Sequence, residues 1–110
     1  MKFFDNHIHS NFSPDSKSAI EEHAAQAIQL DMGVITFTDH LDIDSPLREC
    51  DKENPFIFDT IERNNEIDRV AAMYNINIFK GIEVGLQPQA IGKIKEFTSR
   101  YEFDSVIASL

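Results

Sequence analysis

Two histidines stand two residues apart near the start of the chain, in the stretch HIH at 7–9. Alternate residues of a β-strand point to the same face, so His7 and His9 project side by side if this stretch is a strand. Two neighbouring imidazoles can bind one cation, and imidazole is the commonest metal ligand among side chains. Short His-x-His patterns also arise by chance on solvent-facing strands, so the pair alone leaves both interpretations open.

Three further side chains of the metal-binding types follow predicted strands. Asp15 lies in the loop after the first strand, His40 follows the second in TFTDH, and Glu83 is near the end of the third in KGIEVG. The carboxyl ends of parallel strands meet at one edge of a sheet, which is where such folds gather their chemistry. We therefore expect these three side chains to join His7 and His9 in one metal site. The alternatives are a turn residue for Asp15 and a capping role for His40.

The elements that must position these residues alternate between strands and helices. Strands are predicted at 2–8, 34–38, 76–84 and 103–110, and helices at 18–32, 59–74 and 88–100. This alternation predicts an α/β fold, with a parallel sheet whose strands are joined by right-handed crossovers. The segment at 41–58, LDIDSPLRECDKENPFIF, is far longer than a usual strand-to-helix loop and is therefore expected to be functional or disordered.

Local signals place the helix ends. Ser18, with Glu21 three residues later, predicts a capping box at the start of the first helix, and Gly33 predicts its end. Asp59 is the predicted N-cap of the second helix, and Pro88 suits the first turn of the third.

The overall composition excludes several classes of protein. The chain has 110 residues, enough for one domain, and its net charge of −9 argues against nucleic acid or an anionic membrane as a partner. No stretch approaches the ~20 apolar residues of a membrane span. The single cysteine, Cys50, is interpreted as a loop thiol and fits a cytoplasmic location, because the cytosol is reducing.

The segments DNHIHSNFSPDS, TFTDH and GIEVG resemble, in this order, motifs of the polymerase-and-histidinol-phosphatase (PHP) family of metallohydrolases. Within that family the opening HIHSNFSPDS, the DHLD after strand two and the closing FDSVIAS look most like the monofunctional histidinol phosphatases. The resemblance implies a distorted (β/α)7 TIM-like barrel. Residues 1–110 would form roughly its first half, a PHP domain cut after strand four. Alternatively, the half-barrel completes itself by self-association through its open sheet edges.

The resemblance also implies a role for each candidate ligand. His7 and His9 look like ligands of a first ion, Glu83 like a carboxylate bridging two ions, and Asp15 and His40 like ligands of a third. The implied cofactors are two or three divalent ions of zinc, manganese or iron, which suit mixed imidazole and carboxylate ligands.

The implied reaction is hydrolysis of a small phosphomonoester, L-histidinol phosphate, in histidine biosynthesis. Water activated by the metal ions would be the nucleophile, and no catalytic side chain is identified. Arg48 is a candidate for binding phosphate or is an unpaired loop cation, His23 is interpreted as structural, and Asp5 either orients a histidine or makes a structural hydrogen bond. Two alternatives stay open: another phosphatase of the superfamily, acting on a nucleotide or phosphoprotein, and a catalytically silent, metal-binding half-barrel.

Overall fold

The computed structural model describes residues 3–43 and 57–110. Its elements in chain order are β1 (Phe3–Ile8), α1 (Ile20–Gln29), β2 (Met32–Phe37), β3 (His40–Leu41), α2 (Thr60–Tyr74), β4 (Asn77–Gly85), a 3-10 turn (Pro88–Ala90), α3 (Ile91–Arg100) and β5 (Ser105–Ser109). The predicted strands are confirmed, with ends that differ by one or two residues. Among the described residues, no helix is both long and apolar enough to cross a membrane.

All strand pairs of the sheet are parallel, as predicted for an α/β fold. β1 pairs with β2, and β4 pairs with β2, β3 and β5. Glu83 of β4 is in register with His40 on one side and with Ile107 on the other, so β3 and β5 lie on opposite edges of β4. The two-residue strand β3 was not predicted. It follows β2 after only two residues and brings His40 beside Glu83.

The apolar core lies between the sheet and the helices. One cluster joins Ile20 and Ala24 of α1 to Phe37 of β2 and to Ile67 and Val70 of α2. A second cluster joins Leu41, Ile82 and Val84 of the sheet to Phe58 and Ile94. Complete burial of an Ile, Leu or Phe side chain contributes about 1.5–3 kcal/mol, so these contacts fix the strands whose ends carry the candidate ligands.

The predicted bounds of the first helix are wrong. Its N-cap is Ala19, which makes no side-chain capping bond, because Ser18 belongs to the preceding loop. There the Ser18 carbonyl accepts a hydrogen bond from the Asn11 N–H, and its own N–H donates to Ser16 Oγ. At the other end the chain turns at Asp31, with φ of 54°, so Gly33 lies within β2 and does not end the helix.

The second helix begins and ends where the sequence predicts. The Asp59 carboxylate accepts a hydrogen bond from the Glu62 N–H at 2.9 Å, which is N-capping geometry. Ile61 of this helix is 62% exposed, whereas Arg63 is completely buried, the reverse of what the polarity of the two side chains predicts. Tertiary contacts of Arg63, described below, account for this exception.

Candidate metal centre

The end of β1 places His7 and His9 side by side. Their ring centroids are 5.2 Å apart. The Ile8 carbonyl between them accepts a hydrogen bond from the Thr38 N–H at 2.7 Å, which ties the end of β1 to the end of β2. The alternation of a strand therefore produces the pair of imidazoles that the sequence predicts.

Glu83 of β4 lies at the centre of three imidazoles. It is 6% exposed. Its Oε1 is 2.8 Å from His7 Nε2, and its Oε2 is 2.9 Å from His40 Nδ1 and 3.6 Å from His9 Nε2. A carboxylate with two accessible oxygens in this position can contact two cations at once.

Asp15 approaches the same imidazoles from the loop after β1. His9 Nδ1 lies 2.9 Å from Asp15 Oδ2, and His40 Nε2 lies 3.2 Å from the same oxygen. The structure thus brings together every ligand that the sequence nominates within the described residues.

The ligand atoms form two groups that overlap at His9. One group is His7, His9 and Glu83, and the other is His9, Asp15 and His40; within each group the atoms lie within 4.8 Å of one another. The His9 Nε2 atom is buried and has no hydrogen-bond partner in the described part of the chain. A buried nitrogen without a partner is unfavourable unless something else satisfies it, and a metal ion does so. Imidazole nitrogen with carboxylate oxygen is a donor set that suits zinc.

Asp42 is a member of the centre to which the sequence assigned no role. Its Oδ2 lies 3.4 Å from His40 Nδ1. Burial raises the pKa of Asp42, His40 opposes the rise, and the nearby Glu83 and Asp15 carboxylates add to it. A Cβ at residue 85 would overlap the Asp42 carboxylate, so Gly85 gives that side chain its space. The stretch DHLD contains Asp42, but proximity to Glu83 arises only from the pairing of β3 with β4.

The remaining sequence candidates divide into three cases. His23 lies outside both ligand groups and packs edge-on against Phe37, with ring centroids 5.5 Å apart, as its structural interpretation predicts. Asp5 Oδ1 accepts a hydrogen bond from the His7 N–H at 3.1 Å, the structural alternative for that residue. Arg48 and Cys50 lie outside the described residues.

A comparison with protein families matches residues 5–110 to the family described as PHP domain. Among curated proteins, a probable histidinol-phosphatase of Clostridium acetobutylicum is 32% identical over 108 residues, which are 97% of this chain and 38% of that protein. The histidinol-phosphatase of Lactococcus lactis is 34% identical over 112 residues, which span 100% of this chain and 39% of that protein.

A solved structure has the same arrangement of elements. Histidinol phosphate phosphatase from Lactococcus lactis, in complex with zinc, L-histidinol and phosphate, superimposes with a TM-score of 0.88 at 32% identity. The match covers 99% of this chain and 40% of that one. The fold is therefore a half-barrel of parallel β/α units, and the chain spans about two fifths of the length of the curated relatives it matches.

Proposed function

This chain belongs to the PHP-domain family, and we propose that it carries the metal centre of a phosphatase that hydrolyses L-histidinol phosphate to L-histidinol and phosphate in histidine biosynthesis. The observation that carries the proposal is the position of Glu83, whose two carboxylate oxygens face His7 on one side and His40 on the other. The names of the curated relatives support the reaction, and the zinc of the similar solved structure supports the metal.

The residues present fit zinc. His7 and His9 with Glu83 would hold one ion, while Asp15 and His40 would hold a second. A neutral imidazole has one free lone pair, so His9 serves one of the two ligand groups at a time. Manganese and iron accept the same kinds of donor, and metal analysis distinguishes them.

Bound divalent ions would polarise the phosphate and activate water for in-line attack. The contribution of the chain itself is to hold the ligands close together before the metal arrives. Glu83 and Asp15 also place negative charge next to three imidazoles, which favours binding of a cation over binding of a bare phosphate. A phosphomonoester is thus expected to bind to the metal-loaded centre and only weakly to the metal-free one.

The test measures release of phosphate from L-histidinol phosphate by the complete gene product that contains residues 1–110, with and without added zinc. AMP and a phosphoserine peptide serve as competing substrates. Glu83→Gln keeps the shape of the side chain but removes its charge, and Glu22→Gln is the matched control, because Glu22 is exposed on α1. We expect zinc-dependent turnover that prefers L-histidinol phosphate, is lost in Glu83→Gln and is unchanged in Glu22→Gln.

Three outcomes would contradict parts of this proposal. Faster hydrolysis of AMP or of the phosphopeptide than of L-histidinol phosphate would favour the alternative function, a phosphatase of the same superfamily that acts on a nucleotide or phosphoprotein. Bound zinc without any phosphatase activity would favour the silent, metal-binding interpretation. Unchanged activity in Glu83→Gln would exclude Glu83 as a ligand of the metal centre.

A further inference from the structure

We propose that Asp39 is a positioning residue of the metal centre, which it organises through Ser10 and Ser13 while Arg63 holds it in place from α2. The inference rests on the metal centre of the proposed function and is independent of its substrate. Asp39 stands directly before the candidate ligand His40, but the geometry points away from a role as a ligand.

The Asp39 carboxylate is fully occupied by hydrogen bonds within the protein. Asp39 is 0% exposed. Its Oδ1 accepts from the Ser10 N–H at 2.6 Å and from Ser13 Oγ at 3.0 Å, and its Oδ2 accepts from Arg63 Nη1 at 3.1 Å. The Ser10 hydroxyl lies 3.0 Å from both oxygens. A carboxylate with this many donors is stabilised as an acceptor of protein hydrogen bonds and is not aimed at a cation.

The hydrogen bonds from Ser10 and from Ser13 each fix a segment that carries a candidate ligand. Ser10 follows His9 directly, so the two bonds from Ser10 anchor the point where β1 becomes the loop. Ser13 Oγ donates to Asp39 and accepts from the His40 N–H at 2.9 Å, so one hydroxyl connects the loop to the residue after Asp39. Asp15 is two residues beyond Ser13, in the same turn, where the Ser16 N–H donates to the Ser13 carbonyl.

Arg63 fixes the other side of the carboxylate. It is 0% exposed, and its Nη1 donates to Asp39 and, at 3.4 Å, to the Phe37 carbonyl at the end of β2. Its Nε and Nη2 donate to Asn64 Oδ1, and its guanidinium lies 4.7 Å from the centroid of the Phe58 ring. The position of the carboxylate is therefore set by α2 and by the end of β2 together.

A buried ion pair is a poor source of stability, because desolvation of both charges offsets their attraction. Well-packed apolar side chains of the same size often replace such a pair without loss of stability. What the pair does supply is a fixed geometry, since a buried carboxylate holds the hydrogen-bond donors around it in one arrangement. We infer that this arrangement spaces His9, Asp15 and His40 for the metal.

The test measures the dissociation constant for zinc by chelator competition, on the complete gene product, with folding checked by circular dichroism. Asp39→Asn leaves Arg63 without its charged partner and risks unfolding, so the main variant is Ser13→Ala. Ser16→Ala is the matched control, because Ser16 lies in the same loop and its hydroxyl contacts the Ser18 N–H instead of Asp39. We expect Ser13→Ala to weaken zinc binding by roughly 10–100-fold, as is typical for residues that orient metal ligands, and Ser16→Ala to leave it within about twofold.

A second readout separates positioning from general loss of stability. The visible absorption spectrum of the cobalt(II)-loaded protein reports ligand geometry. It should change in Ser13→Ala but stay unchanged in Tyr74→Phe, which removes the hydrogen bond to Glu21 at the last residue of α2. Equal zinc affinities and equal spectra in Ser13→Ala and Ser16→Ala would overturn the inference alone. A folded wild type that binds no zinc would overturn the metal centre and the inference together. Loss of histidinol phosphate turnover with the zinc results intact would affect only the proposed substrate.

Discussion

The imidazoles of His9 and His40 pack edge to face, with ring centroids 4.5 Å apart and planes inclined at 71°. They come from the ends of different strands, and the Asp15 carboxylate contacts both rings, on His9 Nδ1 and His40 Nε2. His9, Asp15 and His40 form one of the two ligand groups, and His9 also belongs to the other, which leads to the first prediction.

His9→Ala should weaken zinc binding strongly, because each ligand group keeps only two of its three ligand atoms without His9. We expect its affinity for zinc to fall by roughly a hundredfold or more, since loss of a ligand exceeds the usual effect of losing a group that orients one. The measurement is bound zinc per chain after gel filtration. His23→Ala is the control, because it also removes a histidine but lies outside both groups. Equal zinc content in the two variants would exclude His9 as a ligand.

Asp42→Asn should stabilise the metal-free protein at neutral pH. Burial raises the pKa of Asp42, and the carboxylates of Glu83 and Asp15 add to the rise. A carboxyl whose pKa is higher in the folded than in the unfolded chain destabilises the fold progressively as the pH rises through that interval. Removing the charge should therefore raise the Tm by about 2–4 °C at pH 7, and by less in acid, where the carboxyl is already protonated.

Thermal unfolding in EDTA measures the effect of Asp42→Asn, with the exposed Glu22→Gln as a control for loss of one negative charge. The gain should shrink when zinc is bound, since a cation offsets the repulsion among the carboxylates. A lower Tm of Asp42→Asn in EDTA would show that the attraction between the Asp42 carboxylate and His40 outweighs burial and the repulsion by Glu83 and Asp15.

The predictable part of the centre follows from the sheet. Parallel strands put their carboxyl ends at one edge, so His9 and Glu83 could be assigned to one site from their positions in predicted strands. The same reasoning assigned His40 to this site, although the short strand that holds it was not predicted. The α/β class is confirmed for the same reason, because the alternation of strand and helix is a local signal.

The rest depends on contacts between residues far apart in the sequence. Asp39 and Arg63 are 24 residues apart, and nothing in either segment alone shows that the two charges meet inside the core. A charged residue among the many polar residues of α2 is ordinarily placed at the surface, so the sequence does not predict that Arg63 is buried. Asp42 was missed because its carboxylate neighbours are supplied by another strand and by a loop.

Gly81→Ala should destabilise the protein, because a Cβ at Gly81 of β4 would overlap atoms of the neighbouring segments. A Cβ at this position would be 2.7 Å from Ser105 Oγ, 2.8 Å from Thr38 Cγ2 and 2.9 Å from the Phe37 carbonyl oxygen. Overpacking of this kind costs about 1–3 kcal/mol. Urea unfolding measures the difference.

Gly92→Ala is the matched control for Gly81→Ala. Gly92 lies in α3, and a Cβ there meets no atom within 4 Å. Ala is favoured over Gly in a helix by about 0.5–1 kcal/mol, so this substitution should stabilise the protein. Changes of opposite sign in the free energy of unfolding would support the close packing of β4. A stabilising Gly81→Ala would show that the neighbouring strands move to accommodate the Cβ at little cost in free energy.

The start of α1 offers the last prediction, because the residue at its N-cap cannot make a capping bond. Ala19 has the extended backbone of an N-cap, with φ of −68° and ψ of 154°, but no side-chain acceptor. Ala19→Ser supplies an acceptor for an N–H of the first turn and should stabilise the protein by about 0.5–1 kcal/mol in urea unfolding. Ser18→Ala should change the free energy of unfolding very little, since only the main chain of Ser18 takes part in the loop hydrogen bonds described above. A large loss of stability in Ser18→Ala, with no gain in Ala19→Ser, would show that Ser18 is the N-cap and that the predicted capping box forms.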